Sequence, residues 1–268
     1  MHPFCPSGLR TSLEAVYYTY NRKEYIHPDP LELVYRYDNL GDREIAAFIA
    51  AFLAYGRVHQ ILKSVSSVLD VMVPGPSTYL KDHTRHTIFR TFCGFKHRFT
   101  DGRKLSSMLC GLRQMLITYG SLKTCFGVGM ADDEDTLLNA SAAFAVELTR
   151  CAEEPLDHLV SSPHKGSACK RLNLFLRWMV RCDDVDPGGW SGVPPSKLLV
   201  PLDVHMHRIA RFMNLTRRRQ ANMKTVMEVT KRFRMIDPSD PVKYDFCLTR
   251  LGIRGGRQGL GGAVPATN

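Results

Sequence analysis

Thirty-six Lys and Arg against 26 Asp and Glu leave this 268-residue chain with a formal charge of +10, a balance that suits a polyanion partner, general solubility being the plain alternative. With 44% hydrophobic residues it is long and apolar enough to bury a sizeable core, yet no apolar run approaches the length of a membrane span. The opening MHPFCPSGLR has no apolar segment of the secretory kind, and the eight cysteines include no Cys-x-x-Cys pair, so neither a zinc ribbon nor a clustered four-cysteine iron–sulfur site is expected. The chain reads as a cytosolic protein with reduced thiols, no metal, no cofactor and no membrane partner.

In chain order, residues 1–10 read as a loose leader, and a helical pattern over 13–20 is broken by Pro28 and Pro30 in NRKEYIHPDP. Asp42 is expected to cap the next helix, whose buried stripe is Ile45, Phe48, Ile49, Phe52 and Leu53. Gly56-Arg57 interrupts it, and a further helix runs through Ile61, Val65, Leu69 and Met72 to Pro74-Gly75-Pro76. In HTRHTIFRTFCGFKHRFTDGRKL, basic residues interleave with Phe89, Phe92, Phe95 and Phe99. That pattern fits a nucleic-acid backbone, and fits a charged face over a Phe-rich core equally well. After a helix over 105–119, Phe126-Gly127-Val128-Gly129 copies the glycine spacing of a phosphate-binding hairpin, but the acidic MADDEDT that follows would repel a phosphate, so this stretch reads as a loop. A helix over 136–150 comes next.

Residues 167–214 organise the rest. Leu172, Phe175, Leu176 and Met179 form the apolar stripe of an amphipathic helix, with Lys170 in its first turn. Opposite the stripe, Lys170, Asn173, Arg177 and Arg181 line up as a cationic face fit to meet phosphates. A Pro/Gly-rich break, DPGGWSGVPP, precedes Pro201-Leu202-Asp203, where Asp203 is placed as the N-cap of a helix that buries Met206, Ile209, Ala210 and Met213. Cys169 is a second candidate nucleophile, since a neighbouring cation lowers a thiol's pKa. Basic TRRRQANMK follows, then a helix through Val226, Val229 and Phe233, then a last one opened by Asp240-Pro241. Residues 254–268 read as a flexible tail. With no β-alternation and no internal repeat, the fold class is all-α.

Taken singly, Asp203 is a helix cap and Lys170 a surface charge. Together, the order of a helix with Lys near its start, a connection, and Pro-x-Asp-x-His-x-x-Arg-Ile at the next helix start resembles the core of the helix-hairpin-helix DNA glycosylases. Two departures stand out: the hairpin segment here is Ser162-Pro163-His164-Lys165-Gly166, with one glycine, and 33 residues separate Lys170 from Asp203. The stretches YNRKEYIHPDPLELVYRY, EIAAFIAAFLAYGR, FKHRF, CKRLNLFLRWMVR, PLDVHMHRIAR and DPVKYDFCLTRLGI also resemble an uncharacterised bacterial family of unknown function, over roughly residues 10 to 253.

The glycosylase resemblance implies a single two-lobed all-helical domain over residues 1–253, working in the bacterial cytosol or nucleoid as a monomer. Its site would lie between the lobes, with Lys170 and Asp203 catalytic. It further implies Lys165, Arg171, Arg177, Arg181 and Arg208 as contacts to DNA, with RNA as the other polyanion, and Tyr55, Arg57, Trp178 and His205 around the base pocket. The implied activity is excision of a damaged or mispaired base, with or without strand cleavage. The rival reading is a nucleic-acid-binding protein that keeps the fold without the chemistry.

Overall fold

The computed structural model describes residues 6–156 and 158–253; the expected 254–268 tail and the first five residues of the expected leader lie outside them. The described chain is helical apart from loops, short 3-10 turns and one two-stranded hairpin, and none of its helices is long and apolar enough to cross a membrane. It divides into two compact units, one drawn from Met1–Ile26, Asp135–Leu137 and Pro163–Asn268, the other from His27–Glu134 and Leu138–Ser162.

The second unit holds α2 (Leu31–Val34), α3 (Leu40–Phe52), α4 (Val58–Leu69), α5 (Pro76–Asp82), α6 (Arg85–Thr91), the hairpin β1 (Lys96–His97) and β2 (Thr100–Asp101), α7 (Gly102–Tyr119), α8 (Leu122–Val128) and α9 (Leu138–Cys151). Both α3 and α7 are buried along most of their length. Gly111 is what lets α9 lie close to α7: a Cβ there would meet the Leu148 side chain at 2.9 Å. Three expectations are corrected in this unit. The cap of α3 is Asn39, whose side chain accepts from the Asp42 N–H, while the Asp42 carboxylate accepts from the Ser77 N–H at 2.8 Å. Phe126-Gly127-Val128 is helical and forms the end of α8. That helix is held by buried Glu44, which accepts from the Leu122 and Lys123 N–H groups at 2.7 and 2.9 Å and so satisfies donors that a helix start leaves unpaired. The third is the β-hairpin, which interrupts the Phe-rich basic stretch: Lys96 pairs with Asp101 and His97 with Thr100.

The first unit holds α1 (Pro6–Tyr20), α10 (Lys170–Val180), α11 (Val204–Phe212), α12 (Met223–Ile236) and α13 over 245–253. Helix α1 begins inside the expected leader because Leu9, Leu13 and Val16 make a buried stripe. It packs on α12, and Glu14 accepts from Lys243 Nζ at 2.8 Å and from the Tyr244 hydroxyl at 2.7 Å. The turn before α10 is a single 3-10 turn, Pro163–Lys165, and residues 152–156 and 158–162 before it are not helical. Among the described residues no helix-hairpin-helix unit therefore leads directly into Lys170.

Candidate functional site

Helix α10 starts just after two residues in left-handed backbone. Gly166 has φ 77° and Cys169 φ 46°, a left-handed conformation that leaves Lys170 as the first helical residue. Between these two turns Ser167 forms an antiparallel bridge with Asn222, and the Met223 N–H donates to the Gly166 carbonyl at 3.0 Å, fastening the entry of α10 to the start of α12. Past the other end of α10, Gly188 and Trp190 donate back to the carbonyls of Trp178 and Met179. The extended segment that follows is held where the Val200 N–H donates to Thr230 Oγ1, and it delivers Asp203 to the head of α11.

Asp203 does two things with one carboxylate. Its Oδ1 accepts from the Met206 N–H at 2.8 Å, the capping bond that its position after Pro201-Leu202 predicts. Its Oδ2 lies 4.0 Å from Lys170 Nζ. The fold thus brings together two residues 33 apart in sequence, in a pair with about a quarter of each side chain still open to solvent (29% for Lys170 and 27% for Asp203). Both belong to the first unit.

The cationic row below Lys170 is the largest correction. Arg177 and Arg181 are each 4% exposed and cannot meet phosphates. Arg177 holds Asp186 through Nε at 3.1 Å and Nη2 at 3.0 Å, and Asp245 through Nη1 at 2.5 Å. Arg181 binds Asp186 as well, and reaches Asp240 and Asp183 at 2.8 Å each. Asn173 is buried too, donating to the Ala168 carbonyl at 3.2 Å. The polar face of α10 is an internal seam in which Lys170, Arg177 and Arg181 are joined to Asp183, Asp186, Asp203, Asp240 and Asp245.

More carboxylates than cations meet in this seam, and their environments separate them. Burial works against the charge of Asp183, but Arg181 and the backbone N–H groups of Val185 and Asp186 outweigh it and hold its pKa below the usual range. Burial pushes Asp186 up, against the pull of Arg177 and Arg181. Burial also pushes Asp245 up to about 6; Arg177 opposes the shift, and the charges of Asp203 and Asp186 add to it. A carboxyl of raised pKa therefore stands within electrostatic reach of Asp203, a placement invisible in sequence because Asp245 follows the pair by some forty residues.

The raised pKa of Asp245 has a consequence for stability. Between the unfolded carboxylate pKa near 4 and about 6, the folded state holds a proton that the unfolded state has lost, so stability falls as pH rises through this window, by up to about 1.4 kcal/mol per pH unit. Thermal melts at closely spaced pH values should show Asp245→Asn lacking this downward slope. Parallel profiles for the variant and the wild type would remove Asp245 as its source.

The remaining predicted residues divide cleanly. Lys165 and Arg208 are exposed, and Arg171 is half-buried. His205 is exposed on α11. Trp178 is fully buried, so it cannot wall an open base pocket, and its indole N–H has no hydrogen-bond partner among the described residues. Tyr55 and Arg57 belong to the second unit. There the Tyr55 hydroxyl lies 2.6 Å from Thr100 Oγ1 and donates to the His97 carbonyl at 3.0 Å, while Arg57 is exposed at the N-terminal edge of α4. Gly56 between them has φ 101° with the Arg98 side chain packed over it. Cys169 is buried, and burial pushes its thiol up to about 11, which removes it as a nucleophile. Among the described residues no group of three or more His, Cys, Asp or Glu is placed to hold a metal ion.

Comparison with known proteins adds a family without a reaction. No curated protein and no solved structure matches the chain. Residues 29–254 match the family described as protein of unknown function DUF2400, and with most of its length covered the chain belongs to that family.

Proposed function

We propose that the protein is a DNA glycosylase that removes a damaged or mispaired base, with Lys170 and Asp203 as its reacting groups. The observation that carries this reading is the pair itself: Lys170 Nζ lies 4.0 Å from Asp203 Oδ2, and both side chains are partly open to solvent. Breaking a glycosidic C–N bond builds positive charge on the sugar, and a carboxylate held by a helix start at fixed distance stabilises that charge as it develops. In the lyase variant the deprotonated Lys170 amine bonds to C1′ as the C1′–N bond breaks, the base departing with the electron pair and taking up a proton; the C1′–O4′ bond then opens, O4′ gaining a proton as the new C1′–N bond loses its own and becomes the double bond of a Schiff base. The target nucleotide must be flipped out of the stack, at a cost of a few kcal/mol that is smallest for a damaged or mispaired base.

A panel of lesion-bearing duplexes, each incubated with the full chain and assayed for free base, tests the proposal. Release from at least one lesion is expected. Silence across deaminated, oxidised, alkylated and mismatched substrates, in conditions where the protein binds the same duplexes, would leave the rival reading of a nucleic-acid binder without this chemistry.

A further inference from the structure

Between Asp203 and Glu228 the chain has no acidic residue, and it carries Arg208, Arg211, Arg217, Arg218, Arg219 and Lys224. All six are exposed. Of these, Arg218 alone has an ion-pair partner among the described residues. We infer that the α11–α12 connection, together with Lys165, is a built phosphate-backbone surface that seats a nucleic acid beside the Lys170–Asp203 pair. The inference rests on the nucleic-acid reading above and supplies the contact surface that the buried Arg177 and Arg181 cannot.

Its construction argues against mere solubility charge. The chain leaves α11 through Asn214 at φ 54°, and the Leu215 N–H donates back to the Ala210 carbonyl at 2.8 Å. Buried Thr216 donates to Glu228 Oε2 at 2.9 Å and accepts from the Arg218 N–H. Arg218 Nε donates to the same Glu228 oxygen at 2.9 Å in an exposed pair, while its carbonyl accepts from His207 Nε2. Thr225 Oγ1 fastens the far side by donating to the Gln220 carbonyl at 2.6 Å. With Arg218 tethered through its backbone and its side chain, Arg217 and Arg219 are presented on either side of a pinned residue instead of on a loose arm, which lowers the ordering cost of binding.

Two links make the surface continuous with the candidate site. The Ser167–Asn222 bridge and the Met223–Gly166 hydrogen bond run antiparallel, carrying Lys165 to the side of Lys224, and Lys170 begins its helix three residues after Ser167. Arg208 and Arg211 rise from α11, the helix that Asp203 caps. The partner chemistry follows from what accompanies the cations. A lipid-surface element sets them beside several exposed large apolar side chains, but of the exposed large hydrophobics Val204 alone lies between Asp203 and Glu228. Regularly repeated phosphates without a hydrocarbon phase describe a nucleic-acid strand.

The test uses the full chain, a fluorescent duplex and a fluorescent single strand of about 20 nucleotides, titrated across a salt series. The triple variant Arg217→Ser/Arg219→Ser/Lys224→Ser is compared with a control of equal charge loss, Lys63→Ser/Lys81→Ser/Arg90→Ser, whose residues are exposed in the second unit. The surface variant is expected to bind at least about tenfold more weakly near 100 mM KCl, with a log–log salt slope shallower by roughly 2 to 3, while the control keeps the wild-type slope. Equal losses in the two triple variants would reduce the surface to net charge and overturn the inference. So would wild-type binding to vesicles rich in anionic phospholipid with none to either oligonucleotide. Base release separates the two readings: a surface variant that binds and excises like the wild type sinks the surface and spares the reaction, whereas weakened binding by that variant with no excision by the wild type spares the surface and sinks the reaction.

Discussion

Asp203→Asn should lower the rate of base release on the order of a hundredfold or more while leaving duplex affinity and melting temperature close to wild type. The substitution separates the two uses of this carboxylate. Asn caps helices about as well as Asp, so the bond from the Met206 N–H at 2.8 Å survives in kind. The charge facing Lys170 at 4.0 Å does not, and loss of a preorganised electrostatic group costs about 10²–10³ in rate. Asp203→Ala adds the capping loss of about 0.5–2 kcal/mol. Lys170→Gln should abolish borohydride trapping of a covalent DNA adduct and leave binding largely intact. An Asp203→Asn protein with undiminished turnover would make Asp203 a cap and nothing more, and trapping by Lys170→Gln would move the nucleophile elsewhere.

Arg177→Met is expected to destabilise the protein by about 3–5 kcal/mol, the cost of stranding buried carboxylates without their cation. Three contacts converge on this guanidinium from Asp186 and Asp245, at 3.1, 3.0 and 2.5 Å, and both carboxylates are buried. Arg177→Lys should recover only part of the loss, because an ammonium cannot reproduce the forked geometry that holds two carboxylates at once. Chemical denaturation followed by circular dichroism measures both variants. A loss for Arg177→Met below about 1 kcal/mol, in the range of an exposed pair, would show that the seam is solvated and would reopen Arg177 as a phosphate contact.

The local features of this chain were legible in its sequence. The stripe Leu172, Phe175, Leu176 and Met179 is buried as its spacing predicts, as are Met206, Ile209, Ala210 and Met213. Asp203 caps α11 as its place after Pro201-Leu202 predicts. These depend on residues within a turn or two of each other, where helical geometry alone dictates the neighbours. No local rule joins Lys170 to Asp203 so far along the chain, and from the sequence only the family resemblance implies that they share a site.

Tertiary structure decided what the polar side of α10 faces. A row of Lys, Asn and Arg at helical spacing is the same pattern whether water or carboxylates lie against it, and here the carboxylates come from Asp183 and Asp186 just past the helix and from Asp240 and Asp245 some sixty residues on. The same holds at Phe126-Gly127-Val128, where Gly127 and the Gly129 that follows suggest a loop and Glu44, 78 residues before Leu122, stabilises a helix by accepting its first N–H groups. Periodicity determines which residues of an element share a face. Whether a charged face is solvated or buried depends on the partners that the rest of the fold brings to it, because a buried charge is tolerable only where opposite charges and hydrogen bonds offset its lost hydration.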